Sequence, residues 1–474
     1  MAYLNAILIG SMLRPTYVRA TLVMAVLALG SVALRAQTVP AAAPTPAPLV
    51  FGESSRAGYA FLERLCDDFG GRMTGSPQNR GALQRLAEEL EKPEFQTFKM
   101  PGWERRHDSV GLLKPFKRAL RVAALSYTQP QSPFEADVVD IGKGAAADYP
   151  AGGAKGKVGL LAHNTALQTS EIVEIARQQG VRAILFTNRE AGGQLLARTG
   201  SFMGEPLPLP VFSLTQEEGL WLGRLLARQQ PVRVRVEVTS RCRQVETANL
   251  VVRLAGKSRD KVIVGAHFDS WDLGQGAMDN GLGGAQLYAL AHALKDRPLA
   301  RTVELVWFNG EEMGLWGSRH AAQTLGGDPI IAMVNLDMVG VPIAINALGD
   351  DSLVPALERF NTSRVHKLPL GVQNINWFGS DHTPYQLAGV RAVTFNAPID
   401  RASVRYYHDL ADTIDKLPEK VVVDSTEIIA ESVLSLVNDA ELAPFRRGET
   451  ETEALFTRFG IDRRMRASGL WPFH

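Results

Sequence analysis

The chain has 474 residues, with 51 Lys plus Arg against 50 Asp plus Glu, so its formal net charge is +1. At roughly 150 residues per domain, this length predicts two or three domains with ample hydrophobic core. The charge balance argues against the basic surface that a nucleic-acid backbone requires, so we expect no nucleic-acid partner. Two distant cysteines, Cys66 and Cys242, exclude a disulfide scaffold and a cysteine-ligated zinc module. Whether they pair with each other stays open.

Residues 1–36 have the features of a secretory signal peptide, and residues 37–50 form a Pro/Ala linker. The apolar stretch from Thr21 to Leu34 is shorter than the ~20 residues that a membrane span needs. An uncleaved anchor is the alternative, and both Met1 and Met12 are compatible with being the first residue. We expect a secreted or periplasmic mature chain without a stable membrane span.

Two helices and a smaller α/β region are predicted after the linker. Helical apolar spacing around residues 59–65 and 82–90 predicts two helices joined by a Gly/Ser/Pro turn. Residues 131–244 then alternate short strands with helices and contain no motif for chemistry. They are predicted to form an inserted α/β domain. We expect this insert to act as a lid or in oligomerisation, for instance in a homodimer, with a passive appendage as the alternative.

Residues 245–445 alternate strands and helices again, and with residues 51–130 they are predicted to form the main domain. This alternation is typical of an α/β fold with a mostly parallel central sheet and helices on both faces. Its apolar runs predict strands at 249–254, 261–267, 302–309, 330–336 and 390–397. Residues 446–474, rich in Arg and Glu, are predicted to be a C-terminal surface tail.

Potential metal ligands stand at or after the ends of these strands. They are His267, Asp279, Glu311 or Glu312, Asp337 and His408. Because the carboxyl ends of strands in an open α/β sheet meet at one edge, we expect these side chains to converge. Two imidazoles and three carboxylates suit a pair of zinc ions, which can polarise a carbonyl and lower the pKa of water.

Neighbouring residues favour the same interpretation. Asp269, two residues after His267, is placed to orient the imidazole from behind. Glu311 and Glu312 are adjacent, so one can bind metal while the other stays free as a general base. Taken singly, each candidate has an ordinary structural explanation, such as a core histidine, a turn aspartate or a helix-opening glutamate. Five of them at successive strand ends favour a metal site.

Four segments carry a family resemblance: HFDSWDLGQGAMDNGLGGA, WFNGEEMGLWGS, VNLDMVG and YYHDLADT. Together they resemble the co-catalytic zinc exopeptidases. This family includes bacterial leucyl aminopeptidases and carboxypeptidase Q, also called plasma glutamate carboxypeptidase. The similarity extends to FGGRMTGSPQNRGA and to the insert, which resembles a protease-associated domain. This resemblance implies two zinc ions, with His267 and Asp337 on one, Glu312 and His408 on the other, Asp279 bridging, Glu311 as the base, and Asp269 behind His267.

The resemblance also suggests residues of the substrate pocket. The segment GSDHTPYQLAG is similar to the family's stretch near the pocket, which makes Ser380, Asp381 and His382 candidates. Tyr406 and Tyr407 are weaker candidates because they adjoin the proposed ligand His408. Asn280 and the sequence HDLADT depart from the carboxypeptidase Q pattern, which leaves the metal ligands intact and puts the substrate assignment in doubt.

The sequence therefore predicts a secreted di-zinc exopeptidase that hydrolyses terminal bonds of short peptides or dipeptides. Aminopeptidase, carboxypeptidase and dipeptidase activities are all compatible with these motifs. The alternatives are a receptor-like relative without catalysis and an aminoacyl cyclase with a single zinc ion. The intact ligand set and Glu311 argue against the first, because buried carboxylates repel one another without metal.

Overall fold

The computed structural model describes residues 50–163, 166–398 and 403–473. The predicted signal peptide, residues 1–36, and all of the linker except Val50 lie outside the described residues. Within the described ranges, no helix is both long and apolar enough to cross a membrane. Cys66 is buried and Cys242 is partly exposed, and both are free thiols.

The first sheet belongs to the predicted main domain. Its strands, in spatial order, are β1 (Glu94–Glu104), β10 (Arg241–Leu254), β12 (Arg301–Phe308), β11 (Ser258–His267), β13 (Ile330–Asn335), β16 (Ala392–Asn396), β14 (Ala344–Asn346) and β15 (Val372–Gln373). The four strands β12, β11, β13 and β16 run parallel, while β1, β10 and β14 add antiparallel pairs around them. The predicted α/β fold with a parallel centre is confirmed, and every residue of β13 is buried because helices cover both faces.

The second sheet is built from the predicted insert and the residues just before it. Its strands, in spatial order, are β3 (Arg118–Ala119), β2 (Ser109–Lys114), β9 (Arg233–Val238), β5 (Gln131–Asp140), β6 (Val158–Leu161), β7 (Ala183–Thr187), β8 (Val211–Leu214) and β4 (Val122–Ala124). Three of these strands precede residue 131, so this sheet extends beyond the predicted insert boundary. Two of the three, β3 and β4, have only two and three residues, which is too short to give an alternating pattern in the sequence.

Helices flank both sheets. They are α1 (Gly52–Arg64), α2 (Pro77–Glu89), α3 (Thr169–Gln178), α4 (Gln216–Ala227), α5 (Leu282–Leu294), α6 (Trp316–Gln323), α7 (Val354–Ser363), α8 (His382–Leu387), α9 (Glu419–Asn438), α10 (Glu449–Arg458) and α11 (Asp462–Ala467). Leu62 of α1, Leu287 of α5 and Val433 of α9 are fully buried in one cluster with the inner residues of β11 and β13. This packing fixes the edge of the sheet at which the strand-end residues meet.

Residues 446–473 of the predicted surface tail, 446–474, pack against the rest of the chain. Helices α10 and α11 bury Phe456 and Met465 completely, in a small cluster with Phe378. Ser170 of α3 donates a hydrogen bond to the carbonyl of Ala467, 2.5 Å away. The Arg and Glu residues between the apolar positions hid this packing, because the helices are short and bury only one narrow face each. The C-terminal segment thus contacts both Phe378, just before α8, and helix α3 of the predicted insert.

Candidate metal centre

Asp279 lies between the buried imidazole of His267 and the partly buried imidazole of His408. Its Oδ1 is 3.2 Å from Nε2 of His267, and its Oδ2 is 2.9 Å from Nε2 of His408. A further carboxylate adjoins each ring: Oδ1 of Asp337 lies 3.7 Å from His267 Nε2, and Oε2 of Glu312 lies 3.1 Å from His408 Nε2. The fold therefore brings together the five side chains that the sequence places up to 141 positions apart, from 267 to 408.

The separations suit atoms that share a metal ion. Tetrahedral zinc with bonds of about 2.0–2.2 Å keeps its ligand atoms about 3.3 Å apart. His267, Asp279 and Glu312 each offer one ligand atom, and these atoms lie within 4.8 Å of one another. Oε1 of Glu312 is buried without a hydrogen-bond partner among the described residues. The donor set of imidazole nitrogens and carboxylate oxygens fits divalent cations of the zinc type.

Backbone carbonyls orient both imidazoles. Nδ1 of His267 lies 2.9 Å from the carbonyl oxygen of Asp269 and 3.8 Å from its carboxylate. Nδ1 of His408 lies 3.0 Å from the carbonyl oxygen of Ala197, in the segment between β7 and β8. A hydrogen on Nδ1 satisfies each carbonyl and leaves the lone pair of Nε2 directed at Asp279. Asp269 thus lies behind His267, and its backbone carbonyl makes a closer contact with the imidazole than its carboxylate does.

The carboxylate of Asp269 fixes the backbone of Glu311 and Glu312. Its two oxygens accept hydrogen bonds from the backbone amides of Glu311, at 3.2 Å, and Glu312, at 3.4 Å. A similar contact fixes Asp337, whose Oδ2 accepts a hydrogen bond of 2.7 Å from Ser380. The Ser380 hydroxyl in turn accepts from the side-chain amide of Asn335 at 2.8 Å. Each carboxylate at the end of a strand is therefore placed by a second polar group.

The loop that carries Asp279 is held by two residues that the sequence analysis did not single out. Asp412 accepts hydrogen bonds from the amides of Met278, at 2.7 Å, and Asp279, at 3.0 Å. Arg72, fully buried, donates to the carbonyls of Gln275 and Gly276 at 2.6 and 2.9 Å. Both lie inside motifs already noted for resemblance, FGGRMTG and HDLADT, which was the available signal.

Burial and neighbouring charges shift the pKa values of both glutamates and both histidines of the site. Burial raises the pKa of Glu311 well above its ordinary value and that of Glu312 to about 7. Burial opposes the charge on His408, but Glu312 and Asp279 outweigh it and raise the pKa of the imidazole to about 9. The same balance raises the pKa of His267 through Glu311 and Asp279. Such concentrated negative charge is what a divalent cation compensates.

A cavity of about 510 Å³ opens onto this site, and Glu311, Glu312, Tyr407 and His408 line it. The ring of Tyr407 stacks on that of His408, with centroids 3.7 Å apart. Residues 196–208 and 466–469 form the facing walls.

Of the five predicted pocket residues, Tyr407 alone lies in the wall of this cavity as the described residues define it. Ser380, Asp381 and His382 are completely buried, and Tyr406 packs against Lys416, whose Nζ is 5.3 Å from the ring centroid. The segment 379–389 is close to the site because Ser380 contacts Asp337, but its side chains support the site from within the core.

The region of the site is similar to known peptidases. Residues 249–433, which contain all five converging side chains, match the model of Peptidase family M28. Aminopeptidase YwaD of Bacillus subtilis (strain 168) is 25% identical over 444 residues, which cover 87% of this chain and 92% of that protein. Carboxypeptidase Q of Xenopus laevis is 27% identical over 285 residues, covering 56% of this chain and 61% of its own length.

A solved structure shares the fold. BSAP, a zinc aminopeptidase from Bacillus subtilis, superposes with a TM-score of 0.67 at 22% identity, covering 82% of this chain and 96% of that one.

Proposed function

We propose that this chain, whose residues 249–433 match the model of Peptidase family M28, is a secreted di-zinc exopeptidase of short peptides or dipeptides. The observation that carries the proposal is the position of Asp279, whose two oxygens face two different imidazoles at 3.2 and 2.9 Å. A carboxylate in that position is suited to bridge two ions. A single-ion site, as in the alternative cyclase, has no use for the second imidazole–carboxylate pair.

In this proposal, His267 and Asp337 would hold one ion, Glu312 and His408 would hold the other, and Asp279 would be shared between them. When bound, the paired ions would polarise the scissile carbonyl and lower the pKa of water. The support is the donor spacing of 2.9–3.7 Å. It is strengthened by the buried, unpartnered Oε1 of Glu312.

Glu311 is the general base of the proposed reaction. It lines the cavity, while its backbone amide is fixed by Asp269. Its neighbour Glu312 faces His408, so the two carboxylates point to different partners. Glu311 would take a proton from the attacking water and pass it to the leaving amine, which releases the terminal residue.

The remaining parts of the proposal concern location and assembly. Residues 1–36 would direct secretion or export to a periplasm, and residues 131–244 would be a protease-associated insert. That insert would cover the cavity or contribute to a homodimer, since its residues 196–208 already form one cavity wall. Short peptides fit a cavity of about 510 Å³ better than folded protein chains do.

A substrate panel with and without a chelator tests this function. The purified chain should hydrolyse dipeptides or short peptides, lose activity with the chelator, and recover it with zinc. Glu311→Gln should keep its zinc and lose about 10²–10⁴-fold in kcat. Glu88→Gln, whose side chain is 56% exposed on α2, is the matched control and should keep full activity.

Two results would contradict the proposal. Full activity in Glu311→Gln would show that another group is the base. Absence of hydrolysis by the zinc-loaded wild type would favour the receptor-like alternative, and cyclisation of an amino-terminal residue with one zinc per chain would favour the cyclase.

A further inference from the structure

The segment Ala197–Thr199 lies between β7 and β8 of the second sheet and forms hydrogen bonds with two proposed metal ligands, His408 and Glu312. The amide of Ala197 donates to the carbonyl of His408 at 2.8 Å, and its carbonyl contacts the His408 ring at 3.0 Å. The hydroxyl of Thr199 donates to the carbonyl of Glu312. Arg198 stands between these two anchors, so its backbone is held beside the proposed metal centre from both sides.

The side chain of Arg198 is fixed as well. Its guanidinium carbon lies 4.4 Å from the centroid of the Phe186 ring. The backbone carbonyl of Arg198 also accepts a hydrogen bond of 3.0 Å from the amide of Ser126. Arg198 lines the same cavity as Glu311 and Tyr407. An arginine whose plane is already stacked loses little conformational freedom when it binds a ligand, and its fork of donors matches a carboxylate.

Arg198 has no carboxylate within ion-pair distance among the residues that the structure describes. The other arginine of the cavity wall, Arg466, lies 3.9 Å from Glu453 and stacks on Trp471. Burial lowers the pKa of Arg198, since a cation away from water is costly unless it is paired. The cavity thus offers a positioned cation that has no carboxylate partner among residues 50–163, 166–398 and 403–473.

Among the residues that the structure describes, the acidic side chains of the cavity do not offer a comparable site for an amine. Glu311 and Glu312 belong to the proposed reaction centre, and Glu174 is paired with Arg177 at 2.7 Å. Glu205 is exposed on the outer wall. The guanidinium of Arg198 matches a free carboxylate in charge and in donor geometry.

We propose that Arg198 binds the free α-carboxylate of the substrate residue that leaves with the amine, so that the enzyme acts as a dipeptidase or carboxypeptidase. This inference rests on the proposed function and names its substrate class. The carboxylate accepts two hydrogen bonds from the guanidinium while the scissile carbonyl faces the proposed metal centre. Blocking the carboxylate as an amide removes both the charge and one acceptor.

The test compares Leu-Ala with its C-terminal amide, using zinc-loaded enzyme at one pH. Wild type should show a kcat/KM at least about tenfold higher for the free carboxylate. Arg198→Gln should lower kcat/KM for Leu-Ala about 10- to 100-fold, mainly through KM, and change the amide by less than about twofold. Arg198→Lys should retain part of the preference because it keeps the charge.

Arg182→Gln is the matched control, because Arg182 also stacks on a phenylalanine, Phe134 at 3.8 Å, outside the cavity. It should leave both substrates unaffected. Equal rates for Leu-Ala and its amide in the wild type would overturn the inference without any variant, and leave the exopeptidase proposal intact. An equal loss on both substrates in Arg198→Gln would also overturn it, by showing a structural role. No hydrolysis of either substrate by zinc-loaded wild type would contradict the proposed function itself.

Discussion

Replacement of Arg72 by methionine should destabilise the protein and loosen the loop that carries Asp279. The Arg72 side chain is fully buried and its guanidinium donates to four carbonyls. These belong to Phe268 at 3.2 Å, Gly70 at 2.8 Å, Gln275 at 2.6 Å and Gly276 at 2.9 Å. Each bond from a charged donor contributes about 1.5–3 kcal/mol singly, but such contributions are not additive, and the cation's own burial opposes them.

Methionine fills much of the same volume and leaves the carbonyls without a donor. We therefore expect a loss of about 3–5 kcal/mol in the free energy of unfolding, the range typical of breaking a buried charged network. Zinc should also bind more weakly, because Gln275 and Gly276 directly precede the turn Ala277–Gly281 that holds Asp279.

Urea unfolding and zinc competition titrations of the same preparations measure the two effects. Arg85→Met is the matched control, since its side chain is 57% exposed on α2 and makes only surface ion pairs. It should change the unfolding free energy by less than about 0.5 kcal/mol. A loss below about 1 kcal/mol in Arg72→Met, with unchanged zinc affinity, would refute the reasoning about the loop.

Three further predictions concern residues around the site. Asp269→Asn should reduce kcat about 10- to 100-fold at full zinc content. One backbone amide of the Glu311–Glu312 pair then loses its acceptor. The backbone carbonyl that supports His267 is retained. An unchanged kcat would contradict this role. Burial lowers the pKa of His382 to about 4 in the folded protein. The unfolded chain therefore binds more protons between about pH 4 and 6.5, and wild type should lose about 3 kcal/mol relative to His382→Gln as the pH falls through that window. If the free energies of unfolding of wild type and His382→Gln changed equally with pH, this prediction would be wrong. Phe456→Ala should cost about 3–5 kcal/mol in urea unfolding, because this residue is completely buried in the C-terminal helices. Phe95→Ala, at a position 46% exposed, is the control, and equal effects of the two would contradict the packing.

The convergence of the candidate ligands was predictable because it depends on the parallel sheet. His267 ends β11, the Glu311–Glu312 pair follows β12, and Asp337 follows β13, so strand direction alone brings them to one edge. The apolar runs of these strands are strong signals, since buried parallel strands are apolar on both faces.

The supports of the site were harder to foresee. Arg72 binds carbonyls about 200 positions away along the chain, and no periodicity reports such a contact. Ala197 lies in a loop without a regular pattern, yet it orients His408. Residue spacing places Asp269 beside His267, but it does not tell which of its oxygens bonds to the imidazole.

The central claim is that two ions share Asp279, and the metal content of the purified chain tests it most directly. After removal of metal and titration with zinc, mass spectrometry of the washed protein should give two zinc ions per wild-type chain. His408→Ala should retain one tightly bound ion, held on the side of His267 and Asp337. A single zinc ion in the wild type, or two in His408→Ala, would contradict the account.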